Sequence, residues 1–138
     1  MQQNFRHYIN LLSALIFFKV HVKLIMKIKK IEDVNPELPQ MPGTKDVSLQ
    51  WLITKNDGAP HYAMRVFTIE PGGSIPVHTH TNMEHEIFVI EGEGIMNNGI
   101  SEIPVKKGTA ILVLPNDKHG FVNNSDKPFK FICVIPIV

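Results

Sequence analysis

Between His78 and Glu86, nine residues carry three histidines and two glutamates, HTHTNMEHE, set between apolar runs. His78 and His80 are one residue apart in an extended segment. Side chains two positions apart on a strand project from the same face. Neutral imidazole is the commonest transition-metal ligand, so two rings on one face amount to half a metal site. Two solvent-facing histidines are the plainer reading of that pair alone. His85, at the mouth of EIFVIE, and His119, after the turn PND, add two more imidazoles that closure of a barrel would bring to the same place. Glu84 and Glu86 flank His85 and are candidates to accept the second N–H of a ligating ring, although a solvated acidic bend explains them equally well. Gly72, Gly73 and Gly92 read as turn residues that place the ligands.

The elements that must hold these residues are strands. From Val47 onward VSLQWLIT, AMRVFTI, SIPVHTH, EIFVIEG, EGIM, ISEIPV, TAILVL, FVNN and FKFICVIPIV alternate with the turn signals KNDGAP, EPGG, TNMEH, NNG, KKG and PNDKHG. β-Branched and aromatic residues dominate, and no 3.6-residue periodicity lasts three turns. Short strands with turns every eight to twelve residues indicate an all-β sandwich or barrel. Residues 35–43, NPELPQMPG, hold three prolines and cannot form a central strand. They are expected as an extended segment crossing the barrel surface or reaching a neighbouring subunit.

A chain of 138 residues suits one domain with one sizeable core. Its composition, 43% hydrophobic and 20% charged, is that of an ordinary globular protein, and the formal charge of +1 supplies no basic stripe for nucleic acid. The single cysteine, Cys133, excludes an internal disulfide and fits a reducing, cytoplasmic compartment. Near the start, the apolar stretch between Arg6 and Lys19 is too short to span a bilayer, and FFKVHVK offers no small-residue cleavage site. Residues 1–25 are most simply upstream sequence, with Met26 as the natural start. An extra element packed on the domain and a membrane-surface helix are the alternatives. Residues 26–138 form the domain, with no membrane partner expected for it.

Two stretches resemble the motifs of the cupin superfamily. GGSIPVHTHTNMEHEIFVIEG is similar to the first, G-x5-H-x-H-x3,4-E-x6-G, with Gly72, His78, His80 and Gly92 in register. Both gap counts place His85 where that motif has glutamate; Glu84 fits the three-residue gap only and stands as the alternative. GTAILVLPNDKHGFVN resembles the second motif, G-x5-P-x-G-x2-H-x3-N, through His119 and Asn123. It departs from it with six residues between Gly108 and Pro115, Asp117 at the glycine position, and a turn one residue shorter. The histidine at the glutamate position looks like a subgroup of small one-domain cupins with four-histidine sites, often manganese-containing. The resemblance implies a double-stranded β-helix of jelly-roll type and a metal set of His78, His80, His85 and His119.

Four neutral imidazoles would leave a divalent ion its full charge, a stronger Lewis acid than a carboxylate-ligated one. Octahedral geometry would leave two positions for O2, water or a bidentate substrate. Mn(II) is expected first and Fe(II) next, while Zn, Ni or Cu would bind imidazole more tightly in vitro. If His85 faces inward, Ile87 and Val89 do too, and Phe121 shares the parity of His119, which predicts a mainly apolar cavity for a small molecule. A bulge in a ligand strand would break that parity. Cys133 is expected as core packing or as part of the cavity lining. Arg65, mid-strand in AMRVF, is expected to face outward, with anchoring of an anionic group inside as the alternative. Ile75, Val77, Phe88 and Ile90 form a second apolar face that a partner subunit or residues 26–31 would cover, which favours a homodimer. The function this implies is an oxidoreductase of dioxygenase type acting on a small, rather apolar substrate. A non-catalytic metal-dependent binding module or sensor is the alternative; a sugar isomerase fits an apolar lining less well.

Overall fold

The alternating runs form eight antiparallel strands in the computed structural model, which describes residues 26–138. The expectations for residues 1–25 lie outside the described residues. The strands are β1 (Lys45–Ile53), β2 (Tyr62–His78), β3 (His85–Glu91), β4 (Glu93–Asn97), β5 (Glu102–Lys106), β6 (Ala110–Val113), β7 (His119–Val122) and β8 (Phe129–Pro136). They hydrogen-bond in the order β5-β4-β7-β2-β8-β3-β6, with β1 added to β2, and the sheet curls into the jelly-roll half-barrel of a double-stranded β-helix. Short 3-10 turns at Ile31–Asp33 and Lys55–Asp57 are the helical elements among the described residues. No helix among them is long and apolar enough to cross a membrane.

One correction concerns β2. EPGG does not separate two strands: residues 62–78 are one strand, bent at Pro71–Gly73, where Gly72 has φ +76°. β1 runs along one edge of β2, while β8 and then β7 occupy the other. The bend is fixed by Asn123, which is fully buried. Its amide donates to the carbonyls of Ile69 and Lys127, both at 2.8 Å, and its oxygen accepts from the backbone N–H and hydroxyl of Ser125. Every polar atom of this side chain is satisfied, which removes the desolvation penalty of burying it.

Period-2 patterning sets the core. On β3 His85, Ile87 and Val89 are buried while Glu86 and Phe88 are exposed; on β8 Phe129, Phe131, Cys133 and Ile135 point in. Phe131 sits centrally, 5.3 Å from Phe67, 4.8 Å from Phe121 and 5.4 Å from Phe129 between ring centroids. Burying each such ring contributes roughly 2–3 kcal/mol. Gly92 links β3 to β4 at φ +72°, and a Cβ there would lie 2.2 Å from the Pro128 carbonyl oxygen. Only glycine permits that approach.

The proline-rich segment crosses the barrel mouth. Glu37 exchanges backbone hydrogen bonds with Leu49, 2.9 and 2.8 Å, in an isolated bridge. Upstream, Gln50 donates to the carbonyls of Ile31 and Val34, and Lys29 pairs with Asp57. Residues 26–31 therefore lie along β1 and do not cover the outer apolar face; Met26 and Ile28 are themselves exposed.

Candidate metal centre

Four elements deliver the histidines to one end of the barrel. His78 closes β2 and pairs directly with His119, which opens β7. The register moves from Ile75↔Phe121 to His78↔His119, three steps on β2 against two on β7, so β2 carries one extra residue. This bulge resets the parity. Ile75 and His78 both face the interior, and Val77 turns outward. The expectation that Ile75 belongs to the outer face is thereby corrected, and for the reason that a bulge re-aims side chains. Gly120 packs against the bulge; a Cβ there would meet the Ile75 carbonyl oxygen and the Val77 nitrogen, each at 2.8 Å.

His80 lies just past β2 and is tied to the turn preceding His119, whose Asn116 N–H donates to the His80 carbonyl at 2.7 Å. In that turn Asp117 N–H bonds the Leu114 carbonyl, Pro115 follows Leu114, and Asn116 has φ +71°. It is a type II turn, with proline and asparagine in their favoured places. The position needing positive φ is thus Asn116. This explains how the shortened motif dispenses with glycine at Asp117.

His78, His80 and His119 each bring a ring nitrogen to within 4.8 Å of the others. Ring centroids are 4.2 Å apart for His78 and His119, and 4.9 Å for His78 and His80. His78 Nδ1–H donates to the Pro76 carbonyl at 2.8 Å and His119 Nδ1–H to the Asp117 carbonyl at 3.0 Å. Both tautomers then leave Nε2 as a free lone pair. His85 stands against this trio, its ring 5.0 Å from that of His80 and 4.7 Å from that of His119, but outside the 4.8 Å nitrogen group. Its Nδ1 faces Cys133 Sγ at 3.3 Å and Arg65 Nη2 at 3.4 Å. Donation from Nδ1–H to sulfur leaves Nε2 free to ligate, whereas donation from Arg65 to Nδ1 puts the proton on Nε2. The two contacts are therefore alternatives.

The electrostatics favour neutral rings. Burial is the main cause, with neighbouring positive groups including Arg65 adding to it: His85 is pushed down to about 3 and His119 to about 4, and His80 is lowered in the same sense. The Asp117 carbonyl opposes part of the shift at His119. The Nε2 atoms of His85 and His119 are buried with no hydrogen-bond partner. Buried nitrogens without partners are costly. An all-imidazole set kept neutral, with two such atoms, fits a divalent transition metal.

The cluster forms one wall of a cavity of about 260 Å³. Ile87 and Phe121 line it as the strand parity predicts, and Phe131 joins them. Val89 shares that parity but is fully buried in the core and does not reach the lining. Glu37, Pro39 and Met41 of the crossing segment close the mouth. Cys133 also lines it, so the core-packing reading holds only in part; its thiol is pushed up by burial. Arg65 corrects its expectation. It shares parity with the buried Ala63 and Phe67 and enters the cavity, its guanidinium carbon 5.4 Å from the Trp51 ring centroid and 5.0 Å from that of Phe67. Glu84 and Glu86 lie outside the lining, and neither joins the histidine group. Trp51 and Glu37, whose carboxylate accepts the indole N–H at 2.7 Å, are among the lining residues the sequence did not reveal. Their meeting depends on where the proline-rich segment crosses, which no local pattern encodes.

The family model for the cupin domain matches residues 65–135, half of the chain, and includes every histidine of the cluster. The chain belongs to the cupin family. Among curated relatives, this cupin is 25% identical over 113 residues to an oxalate-binding protein of Thermotoga maritima, covering 78% of this chain and 92% of that one. Among solved structures it is similar to the polyketide cyclase RemF of Streptomyces resistomycificus, at 33% identity and TM-score 0.77, over 81% of this chain and 80% of that one. A sugar phosphate isomerase of the cupin superfamily from Silicibacter pomeroyi superimposes with TM-score 0.70 at 16% identity, over 81% and 76% of the two chains. That last likeness is one of fold.

Proposed function

We propose that this cupin holds one divalent metal ion, manganese first and iron next, through His78, His80, His85 and His119. We propose further that it acts there as an oxidoreductase of dioxygenase type on a small, largely apolar molecule. The observation that carries the metal reading is the pair of buried, partnerless Nε2 atoms on His85 and His119 beside the His78–His80 pair. A bound ion would supply Lewis acidity that no side chain in the cavity provides. The protein's own part is threefold. Backbone carbonyls of Pro76 and Asp117 fix two tautomers, burial keeps the rings neutral, and the apolar walls exclude water around a substrate. With Glu84 and Glu86 outside the lining, no carboxylate base stands next to the cluster, which favours chemistry carried by the ion over general acid–base catalysis.

A second reading, metal-dependent binding of a small molecule without turnover, draws on the oxalate-binding relative, which this chain matches over most of that protein's length. The scarcity of polar lining disfavours a sugar isomerase. A cytoplasmic homodimer completes the proposal, with Val77, Phe88, Leu112 and Leu114 exposed on the outer surface as the face a second copy would cover.

Metal content per chain, on untagged protein, is the test. We expect close to one equivalent of manganese or iron, and O2 uptake with small aromatic substrates. His85→Ala should lower metal retention at least tenfold, while Glu84→Ala should leave it within twofold. Equal retention in the two variants would remove His85 from the ligand set, and metal binding without O2 uptake would favour the second reading.

A further inference from the structure

The cavity contains a cation that the metal site does not use. Arg65 reaches in from β2, its guanidinium carbon over the rings of Trp51 and Phe67 at 5.4 and 5.0 Å from their centroids. Buried guanidinium groups ordinarily pair with a carboxylate. Among the described residues Arg65 makes no ion pair, and residues 1–25 contain no Asp or Glu that could serve. Its Nε is buried without a partner, and Nη2 has only the imidazole of His85 at 3.4 Å and the sulfur of Cys133 at 3.6 Å. These are weak acceptors for a charged donor. The one acid in the lining, Glu37, sits at the exposed mouth and is engaged with the Trp51 indole.

We infer that Arg65 is the anchor for the carboxylate of the cavity's ligand, so that the molecule bound there is a small carboxylic acid with an apolar body. This rests on the metal reading above and names its ligand class. The guanidinium fork matches a carboxylate with two parallel hydrogen bonds, and because Nε is enclosed the Nη groups are the donors left to make them. Nη2 lies 3.4 Å from the imidazole of His85, which borders the rings of His80 and His119. A carboxylate on Arg65 therefore places the adjoining carbons of the ligand beside the metal position. The remaining space is bounded by Met41, Met83, Phe67 and Trp51, which suits a hydrocarbon or aromatic body.

The tautomer of His85 links the two sites. When Nε2 ligates a metal, Nδ1 carries the proton and can no longer accept from Arg65. Nη2 then loses its nitrogen partner and needs another acceptor, which an incoming carboxylate supplies. A divalent ion and a guanidinium in one small cavity also repel, and an anion between them relieves that repulsion. Metal and carboxylate should accordingly bind with positive coupling, each tightening the other.

Trp51, the one tryptophan in the chain, stacks on Arg65 and gives the readout. Phenylacetate and its neutral isostere phenylacetamide would be titrated into manganese-loaded protein, following Trp51 fluorescence, with metal content measured on the same samples. We expect phenylacetate to bind at least tenfold tighter than phenylacetamide, and metal removal to weaken phenylacetate at least fivefold. Arg65→Met preserves the apolar stem and should abolish the preference for the acid while keeping one metal per chain. Arg65→Lys, a point charge without the fork, should restore only part of it. Equal binding of acid and amide, binding of neither probe, or an unchanged preference in Arg65→Met would overturn the inference while metal stoichiometry stayed intact. Loss of metal in the wild-type protein would instead refute the metal reading.

Discussion

Asn123 is the residue whose removal tests most directly how the site is braced. It immediately follows β7, the strand that carries His119, and hydrogen-bonds to Ile69 on β2, the strand that carries His78. Truncation in Asn123→Ala leaves the Ile69 carbonyl without its amide donor and Ser125 without its acceptor. It also removes one of the two side-chain donors to the Lys127 carbonyl. At about 1 kcal/mol for each of three disturbed backbone groups, the loss should come to about 3 kcal/mol. With an unfolding entropy of about 2 cal/mol/K per residue, a domain of this size should melt about 12 °C lower. Urea unfolding of the metal-free protein, followed by Trp51 fluorescence and circular dichroism together, measures the free energy and checks for two-state behaviour. Asn123→Asp separates shape from hydrogen-bond direction. It keeps the size but sets a carboxylate against two carbonyls, and should be at least as destabilising as Ala at neutral pH. A loss under 1 kcal/mol for Ala, or wild-type stability for Asp, would refute this account of the brace.

The depressed histidines predict a pH dependence with a definite sign. Folded His85 and His119 take up protons only near 3 and 4, whereas the unfolded chain takes them up near 6.5, so the metal-free protein should lose stability steadily as pH falls from about 6.5 towards 5. Urea midpoints across that range should give a proton uptake on unfolding that approaches two from these groups; a flat profile would contradict their burial as neutral rings. Gly92→Ala should destabilise the fold by more than the usual glycine-to-alanine change, since its Cβ would be driven into the Pro128 carbonyl at a positive φ. A melting temperature within 2 °C of wild type would show that the β3–β4 connection relaxes freely.

Strand identity was legible because each run obeys period 2 over four to eight residues, and β3 and β8 follow that alternation without a break. The histidine cluster was legible for a related reason: the spacing of His78 and His80, and the positions of His85 and His119 at strand openings, are local facts. Two expectations fail where they are carried across an irregularity, and a third fails where a general rule is set above parity. EPGG reads as a turn because it contains a proline and two glycines, yet here it bends a strand whose pairing with β1 resumes on either side. Parity counted through the bulge puts Ile75 on the outer face, and the extra residue reverses it. An outward Arg65 follows from the general rule that arginines are solvated, whereas its parity with Ala63 and Phe67 points inward. Glu37 and Trp51 meet across the barrel mouth, and contacts between distant segments leave no periodic trace.

The extra residue in β2 has a consequence for how this barrel tolerates change in chain length. Val77 faces solvent while His78 faces the cluster, and their order depends on one unpaired position between Ile75 and His78. At its present length, β2 paired with β7 without interruption would set Val77 opposite His119 and turn His78 outward. A chain one residue shorter between Ile75 and His78 would pair without interruption and still set His78 opposite His119, since two steps would then separate the two inward side chains. The bulge therefore absorbs one residue of length without moving the cluster, and a single deletion there could mend the sheet while keeping the site.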